Sequence, residues 1–274
     1  MTKAASKPED FAEIESLSAA TFNCYGAFAF VRRKYNENGF QNGKIYLRFC
    51  GEERLVTADG HSEDCPCFSP NGKTLAFLSN ADECGRQIWL YDMESGRIKR
   101  LTNAIYTPRD LKWSPDGSSI AFLASSPLGK TGIYDPLEPV SAEDFGYKYD
   151  GAGYDRSRTV THIWIADATT GDVRQLTDGD FDDLFYSWSP DGSTIVFESG
   201  RQRSKSESMA LDLYTVLSEG GSPVRISSGD WAVGYPIPVR PFFTKDGRYV
   251  VGAFLNGGPE NGYPHTHLRR IDLK

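Results

Sequence analysis

The sequence is poor in the residues that build metal sites and disulfide frameworks. Its 274 residues include five cysteines, four histidines and three methionines. The cysteines are odd in number and no two of them form a C-x-x-C pair, which favours reduced, mostly buried thiols over a zinc site or a set of disulfides. No glycine-rich phosphate loop is present, and the sequence predicts no cofactor.

Long apolar runs and basic runs are also absent. No stretch approaches the roughly eighteen apolar residues of a membrane-spanning helix, and the opening M-T-K-A-A-S-K-P-E-D-F lacks the apolar segment of a signal peptide. The formal net charge is −7 and the pI is near 5.2, without a long run of Lys or Arg. We therefore expect a cytoplasmic protein that binds neither nucleic acid nor membranes.

One phrase is repeated four times along the chain. It reads W-S-P-D-G-S-T-I-V-F-E-S from Trp188, and related copies begin at Phe68, Trp113 and Phe243. Pro presets φ for the first corner of a turn, Asp or Asn bonds to the local backbone, and Gly supplies the positive φ that closes the turn. Each copy therefore predicts two strands around a tight turn, with Gly192 at positive φ in the copy from Trp188.

A second phrase follows most copies and completes a unit of four strands. It begins at Gln87, His162 and Asp212, and contains two short strands around a Gly-containing turn. The units begin at Ser69, Ser114, Ser189 and Thr244. The spacings between these starts are 45, 75 and 55 residues. The base period is near that of a four-stranded propeller blade, and the longer spacings contain insertions.

These repeats predict an all-β fold, a β-propeller of four-stranded antiparallel blades. About four and a half blades are present, as part of a larger propeller. We expect a lead-in segment over residues 1–20 and one propeller domain over 21–274. The predicted blades cover 22–57, 64–102, 109–177 with an insertion at 125–158, 183–227, and an incomplete blade at 237–274.

Two further stretches point to a family. The run F-G-Y-K-Y-D-G-A-G-Y begins at Phe145, and L-T-D-G-D-F-D-D begins at Leu176. Together with the turn repeats, they resemble the N-terminal β-propeller of the prolyl oligopeptidase family, most of all its acylaminoacyl-peptidase and dipeptidyl-peptidase branch. TolB-type propellers share the S-P-D-G repeats. The resemblance implies that an α/β-hydrolase domain with a Ser, Asp, His triad follows the propeller.

The sequence itself shows no catalytic serine. It contains no G-x-S-x-G nucleophile elbow, so we assign no catalytic residue to this chain. The function that the resemblance implies is that of a non-catalytic propeller, which gates and positions short or N-blocked peptides for the hydrolase domain of a serine peptidase. The alternative is a TolB-like propeller that serves as a scaffold for protein–protein interaction.

The insertions indicate where a working surface would lie. The S-P-D-G turns are short and uniform, whereas the insertions at 125–158, 200–210 and 255–266 all fall at the opposite end of the strands. The aromatic-rich insertion at 125–158 supplies the candidate substrate-gate residues Tyr147, Tyr149, Asp150 and Tyr154. The alternative is that this insertion is an extended hairpin packed on a neighbouring blade.

Three other features give no site. The acidic stretch from Asp178 lacks the Gly at position six and the carboxylate at position twelve of an EF-hand loop. His265 and His267 alternate along a strand without a third ligand, and His162 occupies the repeat position of Gln87, which marks it as scaffold. An array that stops within a blade leaves a sheet edge uncovered, so self-association through that blade is expected.

Overall fold

A computed structural model provides the structure of the chain. It describes residues 15–35, 41–57, 61–81, 85–103, 107–127, 148–149, 153–154, 159–201, 210–227, 233–234, 240–256 and 265–273. Every regular element in these ranges is a β-strand. No helix among these residues is long and apolar enough to cross a membrane.

The chain divides into two compact units by its internal contacts. One consists of Met1–Phe122 with Ala166–Val173, and the other of Leu123–Ile165 with Arg174–Lys274. The first unit contains two complete sheets. The first sheet consists of β1 (Glu15–Phe22), β2 (Phe28–Tyr35), β3 (Gln41–Phe49) and β4 (Glu52–Leu55), and the second of β5 (Glu63–Phe68), β6 (Thr74–Ser79), β7 (Gln87–Asp92) and β8 (Ile98–Arg100). In both sheets, each strand pairs antiparallel with the next.

The third sheet is formed by strands on both sides of the predicted insertion at 125–158. The chain forms β9 (Arg109–Trp113) and β10 (Ser119–Pro127), then a separate hairpin of β11 (Lys148–Tyr149) and β12 (Gly153–Tyr154), and then β13 (Thr159–Asp167) and β14 (Val173–Gln175). The sheet itself pairs β9, β10, β13 and β14 in that order. The hairpin lies within the predicted insertion.

The second unit contains the fourth and fifth sheets. The fourth consists of β15 (Asp183–Trp188), β16 (Thr194–Ser199), β17 (Ala210–Leu217) and β18 (Val224–Arg225), with β19 (Val233–Gly234) also paired to β17, and the fifth of β20 (Phe242–Phe243), β21 (Tyr249–Asn256) and β22 (His265–Asp272). Their described pairings are antiparallel. The predicted all-β series of antiparallel blades is confirmed, and the fifth sheet has three strands among the described residues.

The blades pack because their middle strands are apolar on both faces. In the first unit, Ile45 and Leu47 of the first sheet share a cluster with Leu75 and Phe77 of the second. In the second unit, Val196 of the fourth sheet lies in a cluster with residues of the fifth. Each fully buried side chain of this size contributes roughly 1.5–3 kcal/mol to folding. Continuous runs such as T-L-A-F-L-S therefore read as blade strands buried on two sides.

The first blade begins within the predicted lead-in segment. Its first strand, β1, starts at Glu15 and pairs with β2. The turn between them keeps the repeat geometry without the S-P-D-G letters, because the Asn23 side chain accepts hydrogen bonds from the backbone of Tyr25 and Ala27 at 3.0 and 2.8 Å. Gly26 closes this turn at φ +82°. The sequence did not predict this strand, because β1 has few large apolar residues and no S-P-D-G turn follows it.

The S-P-D-G turns have the predicted chemistry. At the turn from Ser189, the hydroxyl donates to Asp191 Oδ1 at 2.5 Å, and Asp191 accepts from the backbone N–H of Ser193 at 3.0 Å. These two hydrogen bonds, the first being the larger cause, lower the pKa of Asp191. Gly192 has φ +74°, as predicted. The same pattern of bonds recurs in the turn from Ser114.

The first strand of each of the first four sheets contains a residue at positive φ that is not glycine. They are Ala19, Cys65, Asp110 and Phe185, at φ +50°, +55°, +57° and +48°. Each lies three residues before the aromatic that ends its strand. Register shifts mark β-bulges at this point in β1, β5 and β15. A β-bulge increases the local twist of its strand and redirects side chains. These residues therefore determine where the first strand of each sheet bends.

Gly171→Ala is expected to destabilise the chain more than Gly96→Ala. The two glycines close equivalent turns at φ +80° and +68°. An added Cβ at Gly171 would lie 2.0 Å from the carbonyl oxygen of Leu101, whereas at Gly96 the nearest atom is Tyr91 Oη at 3.7 Å. Gly96→Ala should cost about 1–2 kcal/mol from left-handed strain alone, and Gly171→Ala clearly more. Urea unfolding of both variants measures the difference, and equal losses would contradict the close approach.

Candidate functional site

Within a sheet, we call the strand ends opposite the S-P-D-G turn the insertion end, because the predicted insertions follow strands that finish there. In the fourth sheet it contains the starts of β15 and β17 and the end of β16. There, Asp183, Ser199 and Asp212 are register partners across three strands, and Ser227 follows β18. All four are buried. The second sheet repeats this polar row with Glu63, Ser79, Gln87 and Thr102, which are also buried.

Hydroxyl groups bond to members of both rows. Thr102 Oγ1 donates to Gln87 Oε1 at 2.9 Å and accepts from the backbone N–H of Ile88 at 3.0 Å. In the fourth sheet, Ser227 Oγ donates to Asp212 Oδ1 at 2.9 Å and accepts from Leu213 N at 3.2 Å. The Thr or Ser that ends the second phrase therefore satisfies polar groups that water would otherwise have to reach.

Acidic residues at the start of the first strand of a sheet contact the sheet before it in the chain. Glu63 Oε2 accepts from the backbone N–H of Ile45 at 3.3 Å. Asp183 Oδ2 lies 3.0 Å from His162 Nδ1, and both residues are almost completely buried. Burial is the main cause that raises the pKa of Glu63. The prediction that His162 belongs to the scaffold is supported, because it lies inside the protein at the position equivalent to Gln87.

Asp183 also holds an arginine. Arg201 Nη2 donates to Asp183 Oδ2 at 2.7 Å, and the guanidinium carbon lies 5.7 Å from the ring centroids of Phe181 and Phe197. The neighbouring Asp182 Oδ1 accepts from the backbone N–H of Thr161 at 2.8 Å. This pair of aspartates therefore contacts both the start of β13 and Arg201, the second residue after β16.

Glu198 is a buried acid that the sequence analysis missed. It occupies the repeat position of Leu78 and Leu123, and it pairs with Leu184 and Leu213. The residue is 4% exposed. Burial raises its pKa to about 8. Alignment of the repeats could have revealed it, since a carboxylate at a core leucine position breaks the pattern.

Two of the four predicted gate residues, Tyr147 and Asp150, fall outside the described residues. The backbone of Tyr149 lies in β11 opposite Gly153, and that of Tyr154 lies in β12 opposite Lys148. The hairpin register therefore does not pair the two tyrosines, and their role stays a prediction.

Metal-binding and nucleophilic groups do not converge in the described part of the chain. No group of three or more His, Cys, Asp or Glu residues there could hold a metal ion. His267 Nε2 accepts from Arg269 Nε at 2.8 Å. Burial raises the pKa of Cys65 to about 11, so that thiol is protonated, whereas Cys24 and Cys50 are exposed, contrary to the expectation of mostly buried thiols. Both exposed cysteines lie in turns, where side chains face water.

A cavity of about 790 Å³ lies at the opposite end of the blades. The S-P-D-G turns of the fourth and fifth sheets form its rim, with Asp191, Lys245 and Asp246. Ile226 and Phe243 line its apolar part. It is an open groove between turns, at the end that the sequence analysis did not select.

Comparison with known sequences identifies relatives that are peptidases. The chain is 30% identical over 155 residues to the uncharacterized peptidase YuxL of Bacillus subtilis, covering 54% of this chain and 23% of that protein. It is 26% identical over 239 residues to dipeptidyl-peptidase 5 of Porphyromonas gingivalis, covering 80% of this chain and 33% of that protein. The chain thus spans between about a quarter and a third of these relatives. No model of a known protein family matches it.

Comparison with solved structures identifies the fold. An acylaminoacyl peptidase in complex with a chloromethyl ketone superposes with a TM-score of 0.71 at 18% identity, over 97% of this chain and 39% of that one. The β-propeller domain of the trilobed protease of Pyrococcus furiosus gives 0.58 at 19%, over 96% and 70%. TolB of Acinetobacter baumannii gives 0.52 at 17%, over 94% and 54%.

The fold of the chain is therefore that of a β-propeller. The sequence relatives narrow this class, because both are peptidases. The chain is a propeller domain related to peptidases, and the resemblance to peptidase propellers based on the turn repeats and the two motifs is confirmed.

Proposed function

We propose that this chain is the non-catalytic propeller of a serine peptidase, and that it selects short or N-blocked peptides for a downstream α/β-hydrolase domain. The observation that carries the proposal is the sequence likeness to two peptidases, which reaches 80% of this chain in one of them. In both comparisons the chain covers a minor part of the peptidase. The rest of such a protein has room for a catalytic domain.

The described polar groups support a non-catalytic role. The hydroxyls of Ser69, Ser114 and Ser189 donate to the Asn or Asp of their own turns. The His162–Asp183 pair is buried at the opposite end of the strands, out of reach of a substrate. Nucleophilic catalysis requires a hydroxyl within hydrogen-bond reach of its base. These serines have carboxylate or amide partners instead of an imidazole.

The tyrosines of the insertion give the proposal its first test. In the protein translated from the whole reading frame, replacing Tyr147, Tyr149 and Tyr154 with Ala should change the ratio of kcat/KM between long and short peptides at least several-fold. Hydrolysis of a small ester should hardly change, because the ester does not need the propeller to reach the catalytic serine. Tyrosine supplies a large amphipathic contact area, so its loss should matter most to substrates that touch the propeller.

A matched control replaces exposed aromatic residues elsewhere on the propeller. Phe22 and Tyr25 are 71% and 61% exposed. Their replacement with Ala should leave both the length preference and the ester rate unchanged. An unchanged length preference in the tyrosine variant would assign the insertion to packing. Absence of any peptidase activity in the whole protein would favour the scaffold function, which so far rests on the fold alone.

Self-association is proposed for the 274-residue chain. Strand β22 lies at the edge of the described fifth sheet, and Leu268 on it is 63% exposed. Uncovered strand edges and apolar side chains favour pairing with another copy. We expect a sedimentation coefficient that rises with concentration, and a weaker rise for Leu268→Lys. A monodisperse monomer with a sharp melting transition would show instead that the chain closes on itself.

A cytoplasmic location is also proposed, on the charge and composition of the chain. Fractionation of cells that express the whole protein tests it, and recovery outside the cytoplasm would contradict it.

A further inference from the structure

One carboxylate oxygen, Asp183 Oδ2, contacts residues next to two different connections at the insertion end. Asp183 Oδ2 accepts from Arg201 Nη2 at 2.7 Å and lies 3.0 Å from His162 Nδ1. His162 lies near the start of β13, where the chain returns from the predicted insertion at 125–158. Arg201 follows β16, where the chain enters the predicted insertion at 200–210. His162 and Arg201, which flank these two connections, therefore meet at this oxygen.

We infer that Asp183 is a positioning residue that couples these two connections, so that displacement of one connection is transmitted to the other. In the proposed function, on which this consequence rests, the coupling sets peptide selection at the insertion end. The residue touches no substrate itself. It acts by fixing the positions of His162 and Arg201.

The physical setting makes this link stiff. Asp183 is completely buried, and the Arg201 side chain is 13% exposed. Hydrogen bonds between ionised partners are about twice as strong as neutral ones. Removal of one partner of a buried pair leaves the other charge uncompensated, which is strongly unfavourable. Asp182 reinforces the link, since its Oδ1 accepts from the backbone N–H of Thr161 at 2.8 Å.

The same sheet supplies a matched control in Asp212. This residue is 1% exposed and accepts from Arg225 Nη2, also at 2.7 Å. Its bonds to Arg225 and Ser227 connect β17 with β18 and with the second residue after β18. Asp212→Asn therefore breaks a comparable buried pair and leaves the contacts of Asp183 with His162 and Arg201 in place. General destabilisation should be similar in the two Asn variants.

Amide hydrogen exchange of the 274-residue chain tests the coupling directly. Asp183→Asn should raise exchange of the backbone amides of Thr161, Ile163 and Arg201 together, about tenfold beyond the change at the turn from Ser189. Asp212→Asn should leave these three amides within about twofold of that turn. Arg201→Gln removes only the contact between Arg201 and Asp183, yet it should also raise exchange at Thr161 and Ile163. Exchange confined to Arg201 in that variant would overturn the coupling.

A second experiment tests the consequence in the protein translated from the whole reading frame. Asp183→Asn should change the ratio of kcat/KM for long and short peptides several-fold and leave small-ester hydrolysis unchanged, whereas Asp212→Asn should change neither. An unchanged ratio in Asp183→Asn, with ester hydrolysis intact, would overturn the effect on selection. If the whole protein cleaves no peptide, the proposed function fails, while the exchange data on the 274-residue chain still decide the coupling.

Discussion

Glu198→Leu should stabilise the chain, and the gain should be largest at alkaline pH. Glu198 is 4% exposed and occupies the repeat position where the second and third blades have Leu78 and Leu123. It pairs with leucines on both neighbouring strands. Leucine would fill the site without a group that requires a proton or water. Because burial raises the pKa of Glu198 to about 8, ionisation inside the folded protein is strongly unfavourable.

The direction of the pH dependence follows from this pKa. An ordinary Glu has a pKa near 4.5, so the folded chain binds the Glu198 proton more tightly than the unfolded chain. The contribution of this proton to stability is complete below about pH 4.5 and is lost as the pH rises to about 8. Above that pH, both states are ionised and the loss is constant. Its size is on the order of a few kcal/mol, since one pKa unit corresponds to about 1.4 kcal/mol.

Urea unfolding between pH 5 and pH 9 measures the effect. Wild type should lose stability across this range, whereas Glu198→Leu should lose much less. The reverse replacement Leu78→Glu, at a position 1% exposed, should introduce a second loss with the same direction. A wild-type stability that does not fall between pH 5 and pH 9 would contradict the buried, protonated state of Glu198.

The sequence predicted the turns best, because their residues leave the backbone few alternatives. Pro190, Asp191 and Gly192 each fix one feature of their turn, and the structure shows that turn as predicted. The bulges could not be predicted in the same way. Cys65 and Phe185 adopt positive φ without the usual Gly or Asn, because the pairing of the surrounding strands imposes that conformation. Local propensity carried no sign of it.

The polar groups at the insertion end could be predicted only in part. The repeat alignment placed His162 and Asp212 at the position of Gln87, and the structure confirms that all three are buried. Their partners could not be predicted, since the contacts of Asp183 with His162 and Arg201 join segments that are distant in sequence. Such contacts depend on how one blade packs on the next.

The 274-residue chain should hydrolyse no peptide, while the protein translated from the whole reading frame should do so. The chain has no nucleophile elbow, and the hydroxyl of Ser189, like its equivalents, donates to a side chain of its own turn. The middle strands of its blades use their backbone donors in sheet pairing on both sides, so those donors cannot form an oxyanion hole. The expected difference is therefore between no turnover and ordinary enzymatic turnover.

Labelling with a fluorophosphonate tests the central claim most directly, because the reagent reports an activated serine without requiring a known substrate. Both proteins should be labelled under the same conditions, with heat-denatured samples as controls, and the adducts counted by mass spectrometry. The account predicts one adduct per molecule on the protein translated from the whole reading frame, and none on the 274-residue chain. Stoichiometric labelling of the 274-residue chain would contradict it.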